Sequence, residues 1–246
     1  MTADNLEQTL VLIKPDALKN SLTGYVLSQL SEFHTGLCFA GAKIVCMSQM
    51  LAEAHYAEHL GKTFFPSLVE YIRGQIHFPD APGKRRVIAL VYHGPSAIQK
   101  IRNIAGPTNP HIARDKNPGC IRALGTIAPI YDAAGNVIDE RMDNLIHASA
   151  NKEDAEREVK LWFQPLDIPP QMRTYATEVI DTSCYYKANR IFTDYKPGSI
   201  CLLAAGQVVW KTDAETLRTV SSDGELTADL KAVIAKYLIN EDREVD

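Results

Sequence analysis

Thr9-Leu-Val-Leu-Ile13 is a short unbroken apolar run closed by Pro15, and a run of that length reads as a buried strand. Leu22, Val26, Leu30 and Phe33 then recur at helical spacing, which predicts one helix over 17–34 packed on that strand and ended by Gly36. Ile44–Met47 predicts a second strand, and residues 51–60 and 65–73 two short helices. Proline and glycine across 74–84 predict a loop. Arg86–Tyr92 is the clearest strand of the chain, and Gly94-Pro-Ser96 opens a helix with Ile98, Ile101 and Ala105 inward and Gly106 at its end.

Residues 107–143 are rich in proline and glycine and show little periodicity, the mark of a functional stretch within a packed domain. Asn144–His147 is a brief apolar segment. Asn151 then caps a helix with Glu153 and Asp154 in its first turn and Ala155, Val159 and Trp162 inward. This element order predicts an α/β sandwich with mixed strand pairing. Pro165, Pro169 and Pro170 mark a boundary, dividing the chain into a domain at 1–165 and an extension at 166–246. In the extension, Ile200–Ala204 and Gln207–Lys211 predict a hairpin about Gly206, and Leu226, Leu230, Val233, Ile234 and Tyr237 a helical stripe.

Composition narrows the function classes. The 246 residues are 46% hydrophobic and 23% charged, which excludes wholesale disorder. The net charge of −4 gives no general grip on nucleic acid or acidic membranes. Seven acids against three bases lie in 223–246, an acidic end expected to be a solvated helix face. Five cysteines without a CxxC pair, no apolar run of membrane-spanning length and an acidic first segment predict a protein of the reducing cytoplasm.

Seven histidines are candidates for chemistry. His55 and His59 stand four apart, but Glu58 precedes the second instead of following the first, so the zinc-peptidase order is absent. His34, His77, His93 and His111 fall at element ends or in loops and read as solvated. His147 ends a short strand and is followed by Ala148-Ser149-Ala150, small residues that leave its ring approachable. Lys14, Arg102 and Arg122 are cations that a fold can bring to it, which suits an incoming phosphate. The residues alone leave His147 open between that role and a buried structural histidine.

The order of motifs is more specific. Thr9-Leu-Val-Leu-Ile-Lys-Pro-Asp16, His55-Tyr56, Phe64-Phe-Pro-Ser-Leu-Val-Glu-Tyr71, Gly106-Pro-Thr-Asn-Pro110, Asn117-Pro-Gly-Cys-Ile-Arg122, Asn144-Leu-Ile-His-Ala-Ser149 and Glu156–Phe163 together resemble the nucleoside diphosphate kinase family over residues 8–165. The resemblance implies an α+β fold, a ferredoxin-like βαββαβ antiparallel sheet with helices on one face, followed by a small C-terminal α/β extension. It implies ping-pong transfer of a γ-phosphate from a nucleoside triphosphate such as ATP to a nucleoside diphosphate through a phosphohistidine, in a homo-oligomer (dimer, tetramer or hexamer). A catalytically silent nucleotide-binding scaffold and a histidine phosphocarrier are the competing readings.

Residue by residue, His147 matches the family's phosphorylated histidine, and Ser149 and Glu158 the pair that positions it. Lys14, Tyr56, Arg102, Thr108 and Arg122 match the phosphate-binding set, Asn144 the contact to the sugar hydroxyl, and Phe64 and Leu68 the apolar clamp on the base. Mg²⁺ is expected to ride on the phosphates with no direct protein ligand, Glu58 reaching it at most through water. The sequence departs from the family at Ala148, Ala150 and Ala123-Leu124, which puts loop geometry in question if residue 148 needs a positive φ. Insertions near 76–84 and 128–141 are also foreign to the short members. The second is expected to rim the pocket or extend a subunit contact.

Overall fold

Residues 10–13 of the first strand, β1 (Leu6–Ile13), have no exposed surface, and their side chains alternate between two cores. Leu10 and Leu12 face one; Val11 and Ile13 face the other, as the two-residue period of a strand requires. The computed structural model describes residues 6–219 and 226–239. Residues 223–225 and 240–246 of the acidic end therefore lie outside the described residues.

The elements run α1 (Pro15–Lys19), α2 (Thr23–Gln29), α3 (Glu32–Thr35), β2 (Cys38–Val45), α4 (Gln49–His55), α5 (Phe65–Ile72), β3 (Val87–Pro95) and α6 (Ala97–Ala105). They continue with α7 (Pro110–Lys116), β4 (Thr126–Tyr131), β5 (Val137–Asp143), β6 (Ile146–Ala148) and α8 (Lys152–Trp162). β2, β3, β1 and β6 form one sheet in that order, and every pairing is antiparallel. The mixed pairing expected from element order alone is thus corrected, and the ferredoxin-like arrangement stands. The crossover segments α1–α2 and α6 share one face with Val11, Leu90 and Ile146. The other face is not open: α4, α5 and α8 cover it, with Trp162 and Phe163 at its centre.

Several local expectations are corrected. The single helix over 17–34 is three short ones, because Ser21 takes a left-handed φ of 58° and Ser31 caps a new start by accepting from the His34 amide. Phe33 is consequently fully exposed instead of inward. The second strand begins at Cys38, well before Ile44. Residues 107–143 hold α7, a 3-10 turn at Ile121–Leu124 and the β4–β5 hairpin. The hairpin turn is closed by Asp132, whose carboxylate accepts from the Ala134 and Asn136 amides.

The extension contains β7 (Thr177–Val179), β8 (Cys184–Lys187), β9 (Arg190–Phe192), β10 (Ile200–Leu203), β11 (Val208–Trp210), α9 (Lys211–Arg218) and α10 (Ala228–Tyr237). The hairpin expected about Gly206 does not form: β10 pairs with β8, and β11 with β7. Cys184 is buried in the extension's own core, as expected of an inert thiol. Trp210 and Ala235 join the main core, and the Trp210 indole donates to the Phe163 carbonyl at 2.6 Å. A buried Lys236–Asp213 ion pair, with Tyr237 donating to the same carboxylate, holds α9 to α10.

Candidate functional site

The edge strand β6 carries His147 directly opposite Leu12 of β1, so the ring stands at the sheet's rim where α8 begins. Asn151 caps α8 by accepting from the Asp154 amide, which fixes the helix register. That register puts Glu158 2.8 Å from His147 Nε2. Ser149 Oγ accepts from the Leu10 amide at 3.1 Å and donates to the same Glu158 oxygen at 2.7 Å. Burial would raise the Glu158 carboxyl, but the charge and hydrogen bond of His147, with help from His55 and Ser149, outweigh it and bring the pKa to about 2. An ionised Glu158 accepts only, so Nε2 carries the imidazole hydrogen and Nδ1 holds the lone pair. The geometry fixes the orientation of the His147 ring.

His55, passed over in the sequence, is buried against it. Its ring meets His147 edge to face at 4.5 Å, and its Nδ1 accepts from the Trp162 indole at 3.2 Å. Burial, then the neighbouring His147, holds the His55 pKa well below its ordinary value. His55, His147 and Glu158 bring one ligand atom each within 4.8 Å. They do not suit a metal, because the Trp162 bond leaves the His55 hydrogen on Nε2 and Glu158 already takes two hydrogen bonds. His59 turns elsewhere, stacked on Tyr56 and edge-on to Phe64, and does not join the His55–His147–Glu158 cluster.

Among the described residues, His55 Nε2 and the Tyr56 hydroxyl find no hydrogen-bond partner although both are buried. Burial, ahead of the Glu158 charge, raises the Tyr56 pKa, so the phenol stays a neutral donor. Spare donors beside that ring suit an anionic ligand.

The cations converge from three segments. Lys14, just past β1, donates to Asn144 Oδ1 at 2.8 Å, and Asn144 Nδ2 donates to the Thr108 carbonyl at 2.8 Å. Burial, with the Arg122 charge adding to it and Asp16 opposing, brings the Lys14 pKa down to about 8. Arg122 donates from Nη1 to the Gly106 carbonyl at 3.0 Å and from Nη2 to the Ile146 carbonyl, one residue before His147. Burial and then the nearby Arg102 lower its pKa to about 10, which still leaves it charged. Gly106 is required here: its φ is +81°, and a Cβ would meet Cys120 Sγ at 2.1 Å.

Phe64 and Leu68 lie half-buried at the start of α5. Thr108 is exposed, its carbonyl engaged and its hydroxyl open. Glu58 is not part of the cluster: its side chain is 61% exposed beside His59, on the rim of a cleft of about 760 Å³ between α4, α8 and the helices α9 and α10.

Asp16 was missed as a site residue. Its buried carboxylate accepts from the Leu145 amide at 2.9 Å and so holds Leu145 in a left-handed φ of 70°. The strained position before His147 is therefore 145, and Ala148, whose φ is not positive, costs the loop nothing. His77, expected to be solvated, instead bonds Asp143 at 3.1 Å.

Arg122 reaches the carbonyl next to His147, and spare buried donors lie on His55 and Tyr56; comparison with known proteins gives the family. The family model described as nucleoside diphosphate kinase matches residues 7–168. The nucleoside diphosphate kinase of Pyrococcus furiosus is 38% identical over 165 residues, 67% of this chain and 88% of that one. The Thermus thermophilus enzyme is 37% identical over 66% of this chain and 99% of its own. Among solved structures, the Borrelia burgdorferi nucleoside-diphosphate kinase, a transition-state mimic with vanadate and ADP, aligns at TM-score 0.53 and 28% identity over 70% of this chain and 95% of that one. A Halobacterium salinarum nucleoside diphosphate kinase in complex with CDP aligns at 0.51 and 30%, over 68% of this chain and 94% of that one. The family model spans well over half of the chain, and the chain belongs to the nucleoside diphosphate kinase family.

Proposed function

We propose that the chain moves a γ-phosphate from a nucleoside triphosphate to a nucleoside diphosphate through His147. The observation that carries this reading is the Ser149–Glu158–His147 relay, which leaves Nδ1 as the lone-pair atom. In the first half-reaction Nδ1 bonds the γ-phosphorus while the bond to the β-phosphate oxygen breaks, and the nucleoside diphosphate departs. The second half is the same step reversed with a new diphosphate, so donor and acceptor share one site. The Nε2 hydrogen stays with Glu158 throughout, and the carboxylate offsets the positive character that the ring gains.

Lys14, Arg102 and Arg122 hold the phosphates and spread the charge of a metaphosphate-like transition state, with hydroxyls of Tyr56 and Thr108 as further donors. Asn144 takes the sugar hydroxyl, and Phe64 with Leu68 grips the base by its faces, which tolerates any base. The carboxylates near His147 are already committed: Glu158 to His147 and Ser149, Asp16 to Leu145, Asp143 to Arg141. That donor set fits a Mg²⁺ borne on the nucleotide phosphates with no ligand from the protein. When bound, the ion neutralises phosphate charge. We read residues 166–246 as an extension of the kinase domain at 1–165, the chain as a homo-oligomer, and its five free cysteines as fitting the cytoplasm. Among the described residues no helix is long and apolar enough to cross a membrane.

Incubation with γ-labelled ATP and Mg²⁺, then a chase with unlabelled GDP, tests the reading. Acid-labile label on His147 that moves to GDP supports it. Label that stays on the protein favours the phosphocarrier, and no label with ATP still bound favours the silent scaffold. His147→Ala should abolish labelling, and Arg122→Ala should lower kcat by roughly 10²–10³.

A further inference from the structure

Both insertions end on one carboxylate. Asp143 closes the β4–β5 hairpin and directly precedes Asn144. From the hairpin, Arg141 donates Nε to Asp143 Oδ1 at 2.6 Å and Nη2 to Oδ2 at 3.1 Å. From the loop at 74–84, His77 Nε2 reaches the same Oδ2 at 3.1 Å. Arg141 continues to α5: Nη1 lies 3.5 Å from Ser67 Oγ, and the guanidinium sits 5.7 Å from the centre of the Tyr71 ring. Lys14 Nζ lies 5.3 Å from that same ring. The backbone closes the remaining side, since a Cβ at Gly125 would stand 2.6 Å from the Asp143 carbonyl oxygen.

The side chains of Asp143, His77 and Arg141 are 9%, 14% and 14% exposed, so this is a desolvated cluster, where paired charges hold geometry more firmly than at the surface. Burial opposes ionisation of Asp143, but His77 and Arg141 overcome it and keep the carboxyl below its ordinary range. The fork of Arg141 is already filled by Asp143, which makes the arginine a strut between hairpin and helix and leaves it no free pair of donors with which to read a base.

We propose that Asp143 is a positioning residue for nucleotide binding: by joining the two insertions to α5, it sets the Phe64–Leu68 clamp and Asn144 at the spacing a nucleotide requires. This rests on the function proposed above. The cluster stands apart from the His147–Glu158 relay, so it acts on the nucleotide and not on the nucleophile.

The test compares wild type, Asp143→Asn and Arg141→Lys. The readouts are nucleotide KM and kcat, ADP affinity by calorimetry, and labelling of His147 by phosphoramidate, a phosphoryl donor without a nucleotide. Asp143→Asn should raise KM and weaken ADP binding by about 10- to 100-fold, the range for a lost hydrogen bond to a charged group. The kcat at saturation and phosphoramidate labelling should change by less than about threefold, the pattern of lost uniform binding. Arg141→Lys keeps the charge but loses the fork, so a KM rise of about 3- to 10-fold is expected, and it carries the test if Asp143→Asn does not fold. Unchanged KM and ADP affinity in the folded variants would overturn the proposal, as would a fall in phosphoramidate labelling at constant KM. Failure of wild type to pass phosphate between nucleotides would instead sink the kinase reading, while calorimetry would still report on Asp143.

Discussion

Replacing Glu158 by Gln removes one charge and almost no volume from the centre of the relay. The carboxylate receives His147 Nε2–H at 2.8 Å and Ser149 Oγ–H at 2.7 Å on one oxygen, and Arg157 approaches the other at 3.4 Å. A hydrogen bond to a charged group contributes about 1.5–3 kcal/mol, so losing the charge-assisted bond to His147 predicts a fall in kcat/KM of about 10- to 150-fold. The amide also lets the imidazole adopt the other tautomer, which removes the Nδ1 lone pair in part of the population. The same substitution has an acid-stability signature. A native pKa of about 2 against 4.5 for the free carboxyl corresponds to about 3 kcal/mol of preference for the ionised form. Because the native value is the lower one, that stabilisation is complete above about pH 4.5 and is lost as pH falls toward 2. Single-turnover labelling from ATP, together with urea titrations between pH 3 and 7, measures both effects. A variant within twofold of wild type in labelling rate, or one with an unchanged acid limb, would refute this account of the relay.

Two further predictions follow from burial. Lys14, with a pKa of about 8, loses its charge as pH rises through that value, so nucleotide KM should climb above pH 8. Lys14→Arg should flatten that limb, and a wild-type profile level to pH 9.5 would count against the assignment. Trp210→Ala removes a fully buried indole whose N–H caps the Phe163 carbonyl, and should cost about 3–5 kcal/mol, or about 10 °C in Tm. A loss below about 1 kcal/mol in chemical denaturation would show that the extension does not brace the kinase core.

The sequence by itself determined the strands β1 and β3 and the capped helix α8, and it named the candidates for the site, because those depend on apolar period, caps and motif order within a few residues. Leu10–Ile13 and Val87–Tyr92 are legible in this sense: a strand buried on both faces must be apolar throughout. The break at Ser21 was not legible, since Leu22, Val26 and Leu30 keep helical spacing directly after it and nothing in that spacing marks the left-handed residue before them. Nor was the partnering of the extension's strands. β10 and β11 flank a glycine turn, yet each finds its hydrogen bonds with a strand more distant in sequence. Tertiary structure alone decided the fate of the histidines. His77 carries no local mark that separates it from His34 or His111, and the motif around His55 does not say what its ring touches; they gain their partners only because α8 brings Trp162 to His55 and the hairpin brings Asp143 to His77. The residues around His147 come from separate segments between Lys14 and Glu158, and a chain can specify each one locally. Their distances are set by the sheet register and the helix cap, which no segment contains alone.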